Sequence, residues 1–346
     1  MTGSNVYMQD LTLKNAWDYT GTTGRAVCLQ DRGNKNVYKN VRQLSYQDTY
    51  YSNNNSGRFY FEGGEIHGTV DFLCGGGDVF FNEVLLFVED RSGNCITAPA
   101  TSTDWGYVFN NCTIDGEGAA NGTYSLGRPW QGAPRAVYLN TTMKVIPQSA
   151  GWASMGTFPA LFAEWNSHTE SGAPVDMSGR TTTFTANGVT QTMSYSPVLT
   201  DEEAARFTLE NVLGGTDNWQ PNLLTEQAPV AQVTVVDGNL VWDETPYAFC
   251  YAVLKNGKVV AFTTEAKYAI PADATETDAF SVRTANEMGG LGAASNALTK
   301  DGVSSIETIK ASSATSGVIY DLSGRRVENV RQGALYVIDG HKVMAK

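Results

Sequence analysis

Short apolar stretches recur along the first two thirds of the chain with one pattern. In each stretch the second and third residues are apolar or aromatic, a turn-forming or charged residue lies near the middle, and the last residue is Leu, Ile or Met. Successive copies start 31, 22, 20, 28 and 29 residues apart, an interval that is typical of a solenoid with one copy per coil. The copies are NVYMQDLTL at 5, NVYKNVRQL at 36, RFYFEGGEI at 58, DVFFNEVLL at 78, GYVFNNCTI at 106 and RAVYLNTTM at 135.

A second set of short strand-like stretches lies between these copies. It comprises RAVCL (25–29), YQDTY (46–50), TVDFL (69–73) and CITAP (95–99). Val, Tyr, Phe and Thr dominate both sets, and neither shows helical periodicity. The two columns predict an all-β chain that begins with a right-handed parallel β-helix. A β-sandwich of hairpins is the alternative, but it does not explain why two distinct columns recur.

One carboxylate, Asp71, interrupts the apolar stretch TVDFL. Equivalent positions on successive coils stack about 4.8 Å apart, so we expect Asp71 to lie beside Gln47 and Asp48. By the same count Arg25 belongs one coil further away. Two adjacent carboxylates repel, which raises the pKa of one and allows an ionised nucleophile beside a protonated acid. The alternative is structural, with Asp48 capping a turn and Asp71 paired with an arginine.

The composition of the chain excludes several classes of binding partner and of catalytic site. The chain has 346 residues with 24 basic and 36 acidic side chains, and its net charge of −12 argues against nucleic acids and anionic membranes as partners. No apolar run approaches the roughly 20 residues of a membrane-spanning helix. Five scattered cysteines and three dispersed histidines indicate neither a disulfide framework nor a metal site. These counts favour carboxylate chemistry.

The pattern changes after residue 222. Residues 228–296 alternate like antiparallel strands and look like a fibronectin type III-like β-module, although an extra sheet packed on the solenoid is the alternative. A polar stretch over 297–313 is predicted to be a linker. Residues 314–346, with YDLSGRRV and GALYVIDGHKV, resemble the C-terminal sorting tails of secreted Bacteroidetes proteins and form a short predicted β tail. We therefore expect a secreted or cell-surface protein.

Three blocks of the solenoid resemble the signatures of pectin methylesterases, in that family's order. They are YQDTYY (46–51), GTVDFLCG (68–75) and LGRPW (126–130), and they are accompanied by ITAP (96–99), AGW (150–152) and FAEWNS (162–167). The resemblance extends from about residue 4 to about residue 214. It implies a β-helical esterase that removes methyl esters from homogalacturonan, as a monomer and without a metal or organic cofactor.

The resemblance also implies a role for each matching residue. Asp71 would be the nucleophile and Asp48 the general acid and then base, while Arg128 would orient Asp71 and hold it ionised. Gln47 would donate to the oxyanion. The implied substrate-binding residues are Arg25, Tyr51, Trp130 and Trp152.

The sequence departs from the family pattern at two positions in the site. Arg25 stands where the family commonly has Gln, and Cys74 replaces an aromatic residue that lines the site. The chain also starts within the repeat, so we expect that N-terminal coils and a signal peptide have been lost. Two other functions remain open: a glycan-cleaving β-helix hydrolase or lyase, and a non-catalytic polysaccharide-binding protein.

Overall fold

The chain divides into two compact units, 1–225 and 226–346. The computed structural model describes residues 1–17, 24–91, 93–222, 228, 230–245, 248–286, 292–302, 307–309, 319–320, 327, 335–338 and 341–345. No helix among these residues is long and apolar enough to cross a membrane.

The first unit is a parallel β-helix whose coils contribute strands to three sheets. Sheet A contains seven strands, β1 (Tyr7–Gln9), β4 (Asn36–Lys39), β7 (Arg58–Glu62), β10 (Asp78–Asn82), β13 (Tyr107–Asn110), β16 (Arg135–Leu139) and β18 (Leu161–Trp165). Sheet B contains β2 (Thr12–Lys14), β5 (Arg42–Leu44), β8 (Glu65–Gly68), β11 (Leu85–Val88), β14 (Thr113–Gly116), β17 (Thr142–Met143) and β19 (His168–Thr169). Sheet C contains β3 (Leu29–Asp31), β6 (Tyr50–Ser52), β9 (Val70–Gly75), β12 (Cys95–Pro99) and β15 (Ser125–Gly127).

The predicted parallel β-helix is therefore confirmed, and each predicted repeat is one strand of sheet A, a bend and one strand of sheet B. A further copy, 161–169, was missed because it ends on Thr rather than on Leu, Ile or Met. The four stretches of the second column overlap or adjoin the first four strands of sheet C. Strand β15, with the sequence SLG, was missed as a member of that column.

The residue at the middle of each repeat forms the bend between sheets A and B. It has a left-handed backbone with φ between 48° and 61°, a conformation that Asn, Asp and Gly adopt most readily. The bend also continues the ladder between coils, since the N–H of Asn111 donates to the carbonyl of Leu139 at 3.0 Å. The bend residues are Asp10, Asn40, Gly63, Glu83, Asn111, Asn140 and Asn166.

The interior of the solenoid contains a column of stacked aromatic rings. Ring centroids lie 4.5 Å apart between Tyr38 and Phe61, 4.8 Å between Phe61 and Phe81, and 4.7 Å between Phe81 and Phe109. Tyr138 continues the column at 4.2 Å from Phe109. These separations are close to the spacing of hydrogen-bonded strands, so rings at equivalent positions stack face to face. The column therefore fixes the register of the coils from inside.

The outer face of sheet A is covered by the segment that follows the last coil. This segment first forms a hairpin of β20 (Thr183–Ala186) and β21 (Val189–Thr192), whose Phe184 is buried with Phe162 in the interior core. The short helices α1 (Asp201–Ala204) and α2 (Leu209–Leu213) follow and pack on the outer face. Val212 and Leu213 of α2 are buried in one cluster with Tyr60 and Phe80 of the sheet. A 3₁₀ turn at Gly118–Ala120 lies between β14 and β15. Sheet A is therefore buried on both faces from β4 to β18, whereas β1 is half-buried.

The second unit contains a small antiparallel β-sandwich. One sheet has β22 (Thr234–Val236), β23 (Asn239–Val241) and β26 (Lys267–Ala269), and the other has β24 (Ala248–Lys255), β25 (Lys258–Thr263) and β27 (Phe280–Asn286). Leu240 of the first sheet and Tyr251, Val253 and Phe280 of the second share one core. The remaining strands β28 (Glu307–Ile309), β29 (Ile319–Tyr320), β30 (Leu335–Ile338) and β31 (His341–Ala345) form a four-stranded sheet.

The structure corrects the predicted start of the linker at residue 297. Leu298 is buried in the sandwich core, and its backbone exchanges two hydrogen bonds of 2.8 Å with Phe280. The segment 307–309, also predicted as linker, pairs with β31. Much of 297–313 and of the predicted tail lies outside the described residues.

The bends allow a direct test at Asn111, whose side chain is exposed and whose φ is 52°. We expect Asn111→Gly to be more stable than Asn111→Ala by about 1 kcal/mol. The left-handed backbone costs Ala about 1–2 kcal/mol, which exceeds the roughly 0.4–1 kcal/mol of extra unfolded-state entropy that Gly brings. Urea unfolding of both variants measures the difference, and an Ala variant as stable as the Gly variant would contradict it.

Candidate active site

A β-bulge in sheet C presents Asp71. Val70 pairs with Cys95 and Leu73 with Thr97, so β9 has one residue more than β12 over this interval. Asp71 has a left-handed backbone, with φ of 51°, while Phe72 and Leu73 are both buried in the solenoid core. Such a bulge re-aims one side chain without breaking the sheet. The carboxylate in the apolar strand is thus the extra residue that leaves the core.

Arg128 holds the Asp71 carboxylate through two hydrogen bonds. It directly follows β15, the coil after β12, and its Nε and Nη2 donate to Oδ1 and Oδ2 of Asp71 at 2.7 Å and 2.6 Å. The Asp71 side chain is only 7% exposed. A bidentate pair between a planar guanidinium and a nearly buried carboxylate fixes the orientation of both groups.

Asp48 lies on the coil before Asp71. Its N–H donates to the carbonyl of Val70 at 3.2 Å, and its φ of 60° is also left-handed. Burial and the negative charge of Asp71 raise the pKa of Asp48 to about 6, although Arg25 and Gln47 oppose the shift. Near neutral pH this carboxyl group therefore exchanges between its acid and base forms.

Gln47 and Arg25 flank Asp48. The Gln47 side chain lowers the pKa of Asp48, because its amide interacts favourably with the ionised carboxylate. Arg25 Nε lies 3.3 Å from Asp48 Oδ2, but the arginine side chain is 73% exposed, so solvent weakens this pair. The predicted cluster is thus present, with Arg25 at its solvent side.

These side chains line one open pocket of about 400 Å³ on sheet C. Cys74 and Ala98, paired on neighbouring strands, belong to its lining, as does Met155. Burial raises the pKa of the Cys74 thiol well above its ordinary value, which keeps it neutral and argues against a nucleophilic role. Met155 was not predicted, because the loop after AGW carries no repeat signal. The pocket residues are Arg25, Gln47, Asp48, Asp71, Cys74, Ala98, Arg128, Trp130 and Met155.

The predicted aromatic residues take different positions. Trp130 lines the pocket, and the half-buried Tyr51 lies beside it with 6.0 Å between ring centroids. The prediction that Trp152 lines a sugar groove is wrong, because its side chain is 1% exposed and packs on Phe162 inside the core. The parallel bridge between Trp152 and Gly127 places the indole beneath the strand that leads to Arg128. Trp152 therefore supports the pocket from inside.

The described residues contain no group of three or more His, Cys, Asp or Glu side chains placed to hold a metal ion. All five cysteines are free, and Cys74, Cys95 and Cys112 are buried. The pocket lining itself presents two carboxyl groups, two guanidinium groups, an amide and a thiol.

Comparison with known proteins identifies the fold and its family. The model of the pectinesterase family matches residues 1–216. The chain belongs to the pectinesterase family. Pectinesterase 1 of Arabidopsis thaliana is 27% identical over 227 residues, which cover 63% of this chain and 36% of that pectinesterase. The chain spans between 21% and 55% of the lengths of four Arabidopsis relatives.

Solved pectin methylesterases share the solenoid. Pectin methylesterase PemA from Erwinia chrysanthemi is 26% identical with a TM-score of 0.50, and the match covers 64% of this chain and 72% of that enzyme. A mutant pectin methylesterase in complex with a hexasaccharide is 25% identical with a TM-score of 0.51, at the same coverage. The match thus covers the pectinesterase unit.

The coupling between the two carboxyl groups can be tested through the pKa of Asp48. In Asp71→Asn we expect this pKa to fall below about 6, because the variant removes the negative charge of Asp71. The positive charge of Arg128 is then no longer neutralised and favours the ionised form of Asp48. Carboxyl-carbon NMR titration from pH 3 to 8 measures the change. The exposed Asp176 serves as the control, since Asp176→Asn should leave the pKa of Asp48 unchanged. An unchanged pKa in Asp71→Asn would rule out the coupling.

Proposed function

We propose that this protein is a pectin methylesterase that hydrolyses the methyl esters of homogalacturonan to free carboxylates and methanol. The observation that carries the proposal is the Asp71 carboxylate, held by two hydrogen bonds from Arg128 in an open pocket beside Asp48. Membership of the pectinesterase family supports it.

In the first half of the reaction Asp71 is the nucleophile. One carboxylate oxygen attacks the C6 carbonyl carbon of a methylated galacturonate unit and forms a tetrahedral intermediate with a negative oxygen. The bond to the methoxy group then breaks, and Asp48 in its acid form gives its proton to that oxygen, so that methanol leaves. The product of this half is an anhydride between Asp71 and the galacturonate.

In the second half Asp48 is the general base. Its carboxylate takes a proton from water, and the oxygen of that water attacks the C6 carbonyl of the anhydride. The bond to Asp71 breaks, which regenerates the Asp71 carboxylate and leaves a free carboxylic acid on the polymer. A pKa of about 6 for Asp48 suits this cycle, because both of its forms are populated near neutral pH.

Gln47 and Arg128 have supporting roles in this mechanism. The Gln47 amide, which lines the pocket beside Asp48, donates to the negative oxygen of the intermediate. Arg128 fixes the attacking carboxylate and stabilises its charge before attack. Trp130 and Tyr51 form an aromatic wall on which a pyranose ring packs.

The proposal extends to the setting of the enzyme. We infer secretion or display at the cell surface, since a polymer of this size is met outside the cell. The sandwich at 230–286, with Leu298 in its core, supports a fibronectin type III-like module as an accessory unit. The sorting tail rests on the sequence motifs of 314–346. We propose that the enzyme acts as a monomer.

Methanol release from methyl-esterified pectin tests the proposed roles. Asp71→Asn should lower the rate by at least about 10³-fold, because the amide cannot act as the nucleophile. Asp48→Asn should lower it by about 10²- to 10⁴-fold and Gln47→Ala by about 10²- to 10³-fold. Asp176→Asn, an exposed carboxylate outside the pocket, should retain the wild-type rate.

The same assay separates the rival functions when the polymer length is followed. A pectin methylesterase releases methanol without shortening the chain. Shorter or unsaturated products would instead indicate a hydrolase or lyase, and binding without turnover would indicate a non-catalytic protein. Full activity in Asp71→Asn would show that the assigned nucleophile is wrong.

A further inference from the structure

A buried ion pair joins Arg180 to Glu164 of β18. The two side chains are 1% and 0% exposed, and Nε of Arg180 donates to Oε1 of Glu164 at 2.5 Å. Ser167 Oγ donates to the other oxygen of this carboxylate at 2.9 Å. Apolar side chains in place of such a pair often leave the stability of a protein unchanged, so stability alone does not account for two buried charges. The directional hydrogen bonds of the guanidinium indicate a further role.

The guanidinium of Arg180 also binds the turn at residues 148–151. Its Nη1 donates to the carbonyl of Ser149 at 3.0 Å and to that of Gln148 at 3.4 Å. Gly151 in this turn has a left-handed backbone with φ of 66°, and a Cβ at this residue would lie 2.4 Å from Cδ of Arg180. Arg180 is therefore in close contact with the turn as well as hydrogen-bonded to it.

The segment 148–156 is the outer neighbour of β15, the last strand of sheet C. It joins β15 through an isolated bridge rather than a ladder. The N–H of Leu126 donates to the carbonyl of Gly151 at 2.7 Å, and a second hydrogen bond, of 3.0 Å, joins the segment to the carbonyl of Pro129. These two bonds lie on either side of Arg128 in the sequence. The place of Arg128 therefore depends on the place of this segment.

We propose that Arg180, held by Glu164, is a positioning residue for the catalytic Arg128. It fixes the turn at 148–151, which fixes the end of β15 and so the two hydrogen bonds from Arg128 to Asp71. The inference rests on the proposed function, in which the Asp71 carboxylate must be held for attack.

The position of β15 in the sheet gives the physical reason for this support. On its inner side the N–H of Arg128 donates to the carbonyl of Thr97 at 2.9 Å, within the regular pairing of the coils. On its outer side the neighbour is an irregular segment, which has few hydrogen bonds of its own to define its place. A bidentate pair with Asp71 tolerates little displacement of either partner, so that outer neighbour has to be fixed.

The first test is Arg180→Lys, which keeps a positive charge beside Glu164 but replaces the planar fork with a single ammonium group. We expect kcat for methanol release to fall by about tenfold to 100-fold, as for a displaced reacting group, with a smaller change in KM. We also expect the pKa of Asp48 to rise above about 6, because a displaced Arg128 neutralises the charge of Asp71 less well. Carboxyl-carbon NMR titration measures this pKa.

Arg58→Lys is the matched control. Arg58 also pairs with a carboxylate, that of Asp217 at 2.6 Å, and also donates to two successive carbonyls, those of Leu213 at 3.0 Å and Gly214 at 3.1 Å. It lies on β7 of sheet A and does not line the pocket. This variant should lower the midpoint of urea unfolding but keep the wild-type kcat and the wild-type pKa of Asp48. Equal changes in Arg58→Lys and Arg180→Lys would show a merely structural role and overturn the proposal.

A second pair of variants decides the question if Arg180→Lys does not fold. Gly151→Ala places a methyl group against Arg180, whereas a Cβ at Gly188, whose φ is 77°, meets no described atom within 4 Å. Both variants bear the cost of a left-handed alanine. Only Gly151→Ala should lower kcat and raise the pKa of Asp48, and the same behaviour in Gly188→Ala would contradict the proposal.

The titration of Asp48 separates failure of this inference from failure of the proposed function. If wild type releases no methanol from any pectin, the proposed function fails, but the titration needs no substrate and still reports the place of Arg128. The side chains that act on the pKa of Asp48 are Asp71, Arg25, Gln47 and Arg128. A pKa that rises in Arg180→Lys and not in Arg58→Lys supports the positioning role, and an unchanged pKa in Arg180→Lys contradicts it.

Discussion

Parallel hydrogen bonding between successive coils is the constraint on which the rest of the solenoid depends. It places residues about 20 to 30 positions apart in the chain at neighbouring points, such as Asp48 with Val70 and Leu73 with Thr97. The stacked rings inside and the left-handed bends between sheets A and B keep this register over the coils. Because the register is fixed, side chains on all five coils that contribute a strand to sheet C converge on one pocket.

Within that pocket, the bulge at Asp71 reconciles folding with chemistry. A regular strand would alternate, and one of Phe72 and Leu73 would then face solvent. The extra left-handed residue lets both pack inside while the carboxylate faces Arg128. Backbone strain at this position is therefore offset by core burial and by the bidentate pair. The same left-handed conformation at Asp48 brings a second carboxylate to the adjoining coil.

The electrostatics of the pocket follow from unequal surroundings of the two carboxyl groups. Asp71 receives two hydrogen bonds from a half-buried guanidinium, whereas Asp48 faces an exposed one at 3.3 Å. Burial and the neighbouring Asp71 charge therefore govern Asp48, and its pKa rises to about 6. In the proposed mechanism this asymmetry makes Asp71 the fixed nucleophile and Asp48 the group that gives and takes a proton.

The sequence by itself determined the solenoid, its two columns of strands and the neighbourhood of Asp71, Asp48 and Gln47. It could do so because the spacing of repeats translates directly into stacking, which needs no knowledge of side-chain packing. Tertiary structure decided the bulge that turns Asp71 outward, the burial of Trp152 and the place of Met155 in the pocket. It also moved Leu298 from the predicted linker into the sandwich core. Those outcomes depend on how neighbouring coils and loops fill the available space, and periodicity along the chain carries no record of that packing.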